Sequence, residues 1–97
     1  MKFEISRRAQ RELERINRWW IEHRDARDLF ARELGEAEIH LRTAPESEVW
    51  RRRGDRLIRR WLLPKTGYHL YYEYDATRER LLVLAVWGAT RGSSPRL

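Results

Sequence analysis

The side chains that could do chemistry gather in one short block, Gly67-Tyr68-His69-Leu70-Tyr71-Tyr72-Glu73. Its composition predicts a strand, and residues two apart on a strand share a face. His69, Tyr71 and Glu73 therefore stand in a row, with Arg60 of the preceding strand as their neighbour. Such a set could cleave RNA without a metal. One group takes the 2′-OH proton, another protonates the leaving oxygen, and a cation stabilises the charge that grows on the phosphorane. His69, Tyr71, Arg60, Lys65 and Arg91 supply the residue types for those roles. The same residues also suit a protein-binding surface, and that reading is preferred for His69 and Tyr71.

Other chemistries lack their parts. His23, His40 and His69 fall in three different elements with no ligand-like spacing, so no metal site is expected. The chain has no cysteine, which removes a disulfide framework, a thiol nucleophile and a cysteine metal site. Neither a glycine-rich phosphate loop nor a Ser-His-Asp set is present, and no cofactor is expected.

The elements that position these residues follow from periodicity. Phe3 and Ile5 alternate with Lys2 and Glu4 as a short strand, and Ser6 stands as a helix N-cap. Ala9, Leu13, Ile16 and Trp20 then form the apolar stripe of a first helix. The break is Glu22-His23-Arg24-Asp25, with Asp25 as the next N-cap. A second stripe of Ala26, Phe30, Leu34, Ala37, Leu41 and Ala44 runs to Pro45, which ends that helix. Residues Glu46 to Asp55, with the run Arg51-Arg52-Arg53, carry no period and read as a solvated loop. Beyond them, the turns Pro64-Lys65-Thr66-Gly67 and Asp75-Ala76-Thr77-Arg78-Glu79 separate three apolar runs, an antiparallel meander. The fold class is α+β in the order β-α-α-β-β-β, a helical hairpin packed on one face of a small antiparallel sheet, with residues 1–97 as one domain. The N-terminal strand is expected at an edge of that sheet.

With the simplest registers, Trp61, Leu63, Tyr68, Leu70, Tyr72, Leu82, Leu84 and Val86 share the face that takes the helices. The opposite face then holds Ile58, Arg60, Leu62, His69, Tyr71, Glu73, Leu81, Val83, Ala85 and Trp87. It is mostly hydrophobic, and monomers rarely leave so large an apolar patch in water. A partner is expected to cover it, with Trp87 as the anchor because large aromatics dominate binding hot spots. Tyr68, Tyr72 and Tyr74 read as core or rim residues whose hydroxyls reach water. The tail from Gly88 to Leu97, with Arg91 and Arg96, has no apolar period and reads as working surface.

Composition sets the class of partner. Among 97 residues, Lys+Arg number 21 against 15 Asp+Glu, a formal net charge of +6 that favours nucleic acid or an acidic protein. Neither a signal-peptide core nor a membrane-spanning run is seen in the sequence, so a cytoplasmic protein without a membrane partner is expected.

The whole chain also resembles the ParE/RelE family of toxins from bacterial type II toxin–antitoxin systems. The resemblance rests on the order of elements, Ala44-Pro45-Glu46 after the second helix, the block PKTGYHLYYEYD, and the ending VLAVWGATRGSSPRL with its Val-Trp-x-x-x-Arg-Gly. It implies a cognate acidic antitoxin whose disordered segment wraps the toxin, here on Ile58, Arg60, Leu62, Tyr71, Val83 and Trp87. RelE-type ribonucleases typically carry Gly-Tyr-Arg where this chain has Gly67-Tyr68-His69. They also have a more basic preceding strand, and an aromatic or histidine after the terminal arginines that is missing beyond Arg91. The resemblance is therefore closer to ParE. It implies non-enzymatic poisoning of DNA gyrase, with Arg91 and Arg96 meeting the target. The alternative is a RelE-like endoribonuclease acting on mRNA at the ribosome through Arg60, His69, Tyr71 and Arg91. A third possibility is a non-toxic member that only binds antitoxin.

Overall fold

The computed structural model describes residues 1–97. The chain runs β1 (Lys2–Ile5), α1 (Arg7–His23), α2 (Leu29–Thr43), β2 (Val49–Arg53), β3 (Arg56–Leu63), β4 (Tyr68–Asp75) and β5 (Arg80–Gly88). These strands form one sheet in the order β1-β5-β4-β3-β2. Strands β2 to β5 pair antiparallel, and β1 lies parallel to β5 at the edge. The α+β class and the helical hairpin on one sheet face are as expected.

Helix α1 follows its sequence pattern closely. The Ser6 hydroxyl accepts a hydrogen bond from the Ala9 amide at 3.1 Å, and Ala9, Leu13, Ile16 and Trp20 are buried. Arg24 leaves the helix in an extended conformation. Helix α2 begins later than expected. Asp25 to Asp28 form the connection, Asp28 takes the cap position, and Ala26 is exposed outside the helix. The buried stripe is Phe30, Glu33, Ala37 and Leu41, with α1 packed on β5 and α2 on β3.

Glu33, placed in that stripe, is the buried charged residue of the core at 4 % exposure. Its Oε2 accepts from the Lys65 amide at 2.7 Å, and its Oε1 from the Thr66 amide at 2.9 Å and the Thr66 hydroxyl at 2.7 Å. The carboxylate thus satisfies the Pro64–Gly67 turn from below, as a buried polar group must be satisfied. Gly67 closes that turn at φ +82°, a conformation that side-chain-bearing residues rarely adopt.

Two expectations about the sheet are corrected. Val49 to Arg53, read as loop, is an edge strand. Its sequence shows no period because nearly every residue is exposed, so no burial imposes one. The turn back into β3 places Gly54 at φ +64°, the conformation that a two-residue hairpin with glycine in first position uses. Its arginines also guard the edge against pairing with another chain.

The second correction concerns register. Tyr71 pairs with Ala85 but Tyr72 pairs with Val83, so Leu84 is an extra residue, a β-bulge. One extra residue reverses the faces of everything before it. Val83 and Leu81, expected on the open face, are instead core residues at 2 % and 0 % exposure beneath the helices. Leu84, expected under the helices, packs against the opposite side. The bulge sits where β1 ends and the edge of β5 would be left unpaired. There Ser6 donates its hydroxyl to the Leu84 carbonyl at 3.2 Å and the Val86 amide donates to Glu12 Oε1 at 3.0 Å, so α1 replaces the missing strand.

Tyr72 also departs from expectation. Its ring is fully buried, and its hydroxyl, instead of reaching water, donates to the Pro45 carbonyl at 2.7 Å. The Ser47 hydroxyl bonds to the Tyr72 hydroxyl, which ties the α2–β2 connection to the middle of the sheet.

Candidate functional site

The face away from the helices is built around a second, smaller cluster of Ile58, Tyr71 and Ala85, from the three central strands. Ile58 and Tyr71 are only 2 % and 3 % exposed, although no helix covers them. The chain supplies the cover itself. Trp50 of β2 meets the Tyr71 ring edge-on at 4.7 Å between centroids, and Leu84, Trp87 and Leu97 pack around the cluster. What remains open is Leu62 at 44 % exposure, with His69 and Trp87 half-buried beside it. Toward the β2–β3 turn, Ser6, Arg8, Arg53, Arg56, Ile58, Leu84 and Leu97 line a groove of about 650 Å³.

The tail is the least expected part. It folds back across this face, burying Pro95 and packing Leu97 on the cluster. The Trp87 indole N–H donates to the Ser93 carbonyl at 3.0 Å, Arg8 donates to the Arg96 carbonyl, and the Arg91 guanidinium lies 3.9 Å from the centre of the Trp87 ring. A stretch without apolar period can still be held when two apolar residues, Pro95 and Leu97, find an existing cluster.

The chemical row of β3 and β4 is present. Arg60 is directly opposite Tyr71, and Leu62, His69 and Trp87 lie side by side across the sheet. Arg60 is engaged: its Nη2 bonds Glu48 Oε1 at 3.0 Å, and the hydrogen bond to Glu48 raises its pKa further. Burial lowers the pKa of His69, with the Arg60 charge adding to the effect, so the imidazole is neutral near neutral pH. His69 meets Tyr71 edge-on at 5.9 Å. Tyr71, only 3 % exposed, is unlike a free proton donor, and Glu48, the carboxylate near His69, is engaged with Arg60.

Placed residue by residue, Ile58, Arg60, Leu62, Tyr71 and Trp87 share the face expected of them, and Val83 does not. Arg91 and Arg96 are exposed, but Arg91 is docked on Trp87 and is no free-swinging group. Sequence reasoning missed Glu48 and Trp50, which lie in the stretch read as loop, and Leu97, whose isolated position gives no periodic signal.

A helical hairpin on a mixed sheet, with a largely apolar second face that the chain half covers, defines the class of this molecule as a small α+β domain. The chain belongs to the family of ParE toxins of the type II toxin–antitoxin system, parDE, whose model matches residues 3–91. No curated protein and no solved structure matches the chain. No helix is long and apolar enough to cross a membrane.

Proposed function

We propose that this toxin acts by binding and not by catalysis, holding DNA gyrase in a state with its DNA cut. A cognate acidic antitoxin neutralises it by covering the second sheet face. One observation carries the reading. Of the groups on this sheet face that could form a catalytic set, Tyr71 is buried and Arg60 is bound to Glu48, while Arg91 is docked on Trp87, so His69 has no free acid–base partner on the face. Leu62 and Trp87 are the open apolar groups of that face, and Arg60, held by Glu48, would have to exchange that partner to meet an acidic side chain of the antitoxin. The cytoplasm, where gyrase works, is the compartment this reading requires.

The ribonuclease reading has one observation in its favour: a neutral, half-buried His69 beside an arginine could act as a general base. The two readings separate in one set of variants. His69→Gln leaves growth arrest in place under the binding reading, and Arg91→Ala relieves it. Under the ribonuclease reading, losing a general base costs ~10²–10⁴ in rate and His69→Gln detoxifies. Growth arrest, mRNA cleavage on ribosomes and gyrase supercoiling are measured for each variant. Detoxified His69→Gln with intact fold and antitoxin binding would end the binding account.

A further inference from the structure

The outer side of α1 carries a row of guanidinium groups that the reading above does not use. Arg11 and Arg15 lie one helical turn apart, Arg18 follows, and all three are exposed. Like charges at this spacing work against the helix, and the chain does not answer them: none of its ion pairs includes Arg11, Arg15, Arg18 or Arg91. Arg91 completes the row from the sheet side. With Arg11 and Arg15 it lines a groove of about 430 Å³ bordered by Trp87, and with Arg15 an adjoining one of about 300 Å³ bordered by Trp19. Because Arg15 and Arg91 line both, the two form one furrow between α1 and the end of β5. The one acid in it, Glu12, is already used inside the molecule: Oε1 accepts from the Val86 amide at 3.0 Å and Oε2 from Arg8 Nε at 3.4 Å. An anion entering the furrow therefore meets unopposed positive charge.

The geometry points to this furrow as a binding site for the phosphodiester backbone of a nucleic acid. Arg11 and Arg15 line the furrow and Arg18 continues their row beyond its lining, a span of about 10 Å along the helix axis, against ~3.4 Å per phosphate along one strand of a duplex. The row can thus reach about three phosphates in succession. An acidic peptide that orders on binding must bury apolar surface to offset its ordering, and the outer side of α1 exposes only two large apolar side chains, Trp19 and Ile21, both near its C-terminal end, the other exposed residues being arginine, glutamine, glutamate and His23. Phosphates need no such burial, because binding is driven by release of their counterions. Contacts of this kind position a protein on a strand and read no sequence. The site goes beyond the toxin reading and is independent of whether the target is the topoisomerase or the ribosome.

The test uses the full chain and fluorescence anisotropy, with a short duplex DNA and a single-stranded RNA of equal length as probes, over a series of salt concentrations. Three contacts predict a log–log salt slope of about −2.7 on the duplex. Arg11→Ala/Arg15→Ala should make that slope shallower by about 1.8 and weaken binding at least ~10-fold at low salt. Arg51→Ala/Arg52→Ala, on the other basic run, should keep the wild-type slope. Thermal unfolding of the α1 variant should be unchanged or occur at higher temperature, since repulsion has been removed. Tighter binding of the duplex identifies DNA as the source of the phosphates and tighter binding of the single strand identifies RNA; either supports the site. Three results overturn it: no binding of either probe at low salt, a wild-type slope in the α1 variant, or polyglutamate competing as well as nucleic acid.

Discussion

At the scale of single residues, the setting of His69 predicts a pH dependence whose sign can be worked out. Burial first, and the Arg60 charge second, lower its pKa in the folded state. Above the ordinary value of about 6.5, both folded and unfolded forms are neutral there and the residue contributes nothing to pH dependence. Below that value the unfolded chain takes up a proton that the folded chain refuses, so stability falls with pH until the folded pKa is passed. His69→Phe should remove this part of the acid sensitivity. Urea midpoints of the wild type and the variant should converge near neutral pH and separate as the solution is acidified, with the variant higher. Parallel profiles would show that His69 is not held neutral by its surroundings. Glu48 acts on both groups: its hydrogen bond raises the pKa of Arg60, and its charge opposes in part the lowering at His69.

The elements show where a sequence can be read and where it cannot. The α1 stripe, both turns of the β3–β4–β5 meander and the faces of β3 and β4 were legible, because in each a run of buried positions repeats at the period of its element. Leu84 was not legible. A bulge adds one residue without changing residue types, and LLVLAV is apolar on either phase, so the pattern could not reveal which residues face the helices. Its cause lies far away in sequence, in Ser6 and Glu12 of the first helical turns. β2 was hidden for the opposite reason: it buries too little to carry any pattern. The candidate face was legible for Ile58, Leu62 and Tyr71 and lost for Val83, which lies before the bulge. Deleting Leu84 should remove the bulge and leave Tyr71–Ala85 and Tyr72–Val83 as successive pairs of a regular ladder, with Leu81 and Val83 still beneath the helices. What is lost is the Leu84 side chain against the second cluster and the carbonyl that accepts from Ser6. The deletion should therefore keep a cooperative unfolding transition by circular dichroism at a lower temperature, whereas Leu62→Ser, at the exposed position, should leave it nearly unmoved. Loss of the cooperative transition in the deletion variant would contradict the pairing assigned to the bulge.

For the whole molecule, the second face changes how partner binding should be measured. Because Leu97 already packs on this face and Pro95 is buried beside it, an antitoxin that binds there as proposed would meet a surface that is partly occupied, with Leu62 and Trp87 as the open apolar ground. Trp87→Ala should weaken the antitoxin complex by about 2 kcal/mol if the ring is a hot spot, and raising salt should slow association more than it speeds dissociation. Surface plasmon resonance of both proteins across a salt series tests the two statements together; unchanged affinity with an intact fold would remove Trp87 from the interface. The pairing of β1 with β5 has a different consequence, in time. Lys2 stands opposite Arg80, so the first strand made waits for the last one, about 4–16 s at ~5–20 residues per second of synthesis. A chain stopped anywhere before Arg80 leaves Phe3 and Ile5 without the strand they lie against. Interrupted translation therefore yields an unfinished core and not a weaker toxin, and the cell meets this activity only as a completed chain.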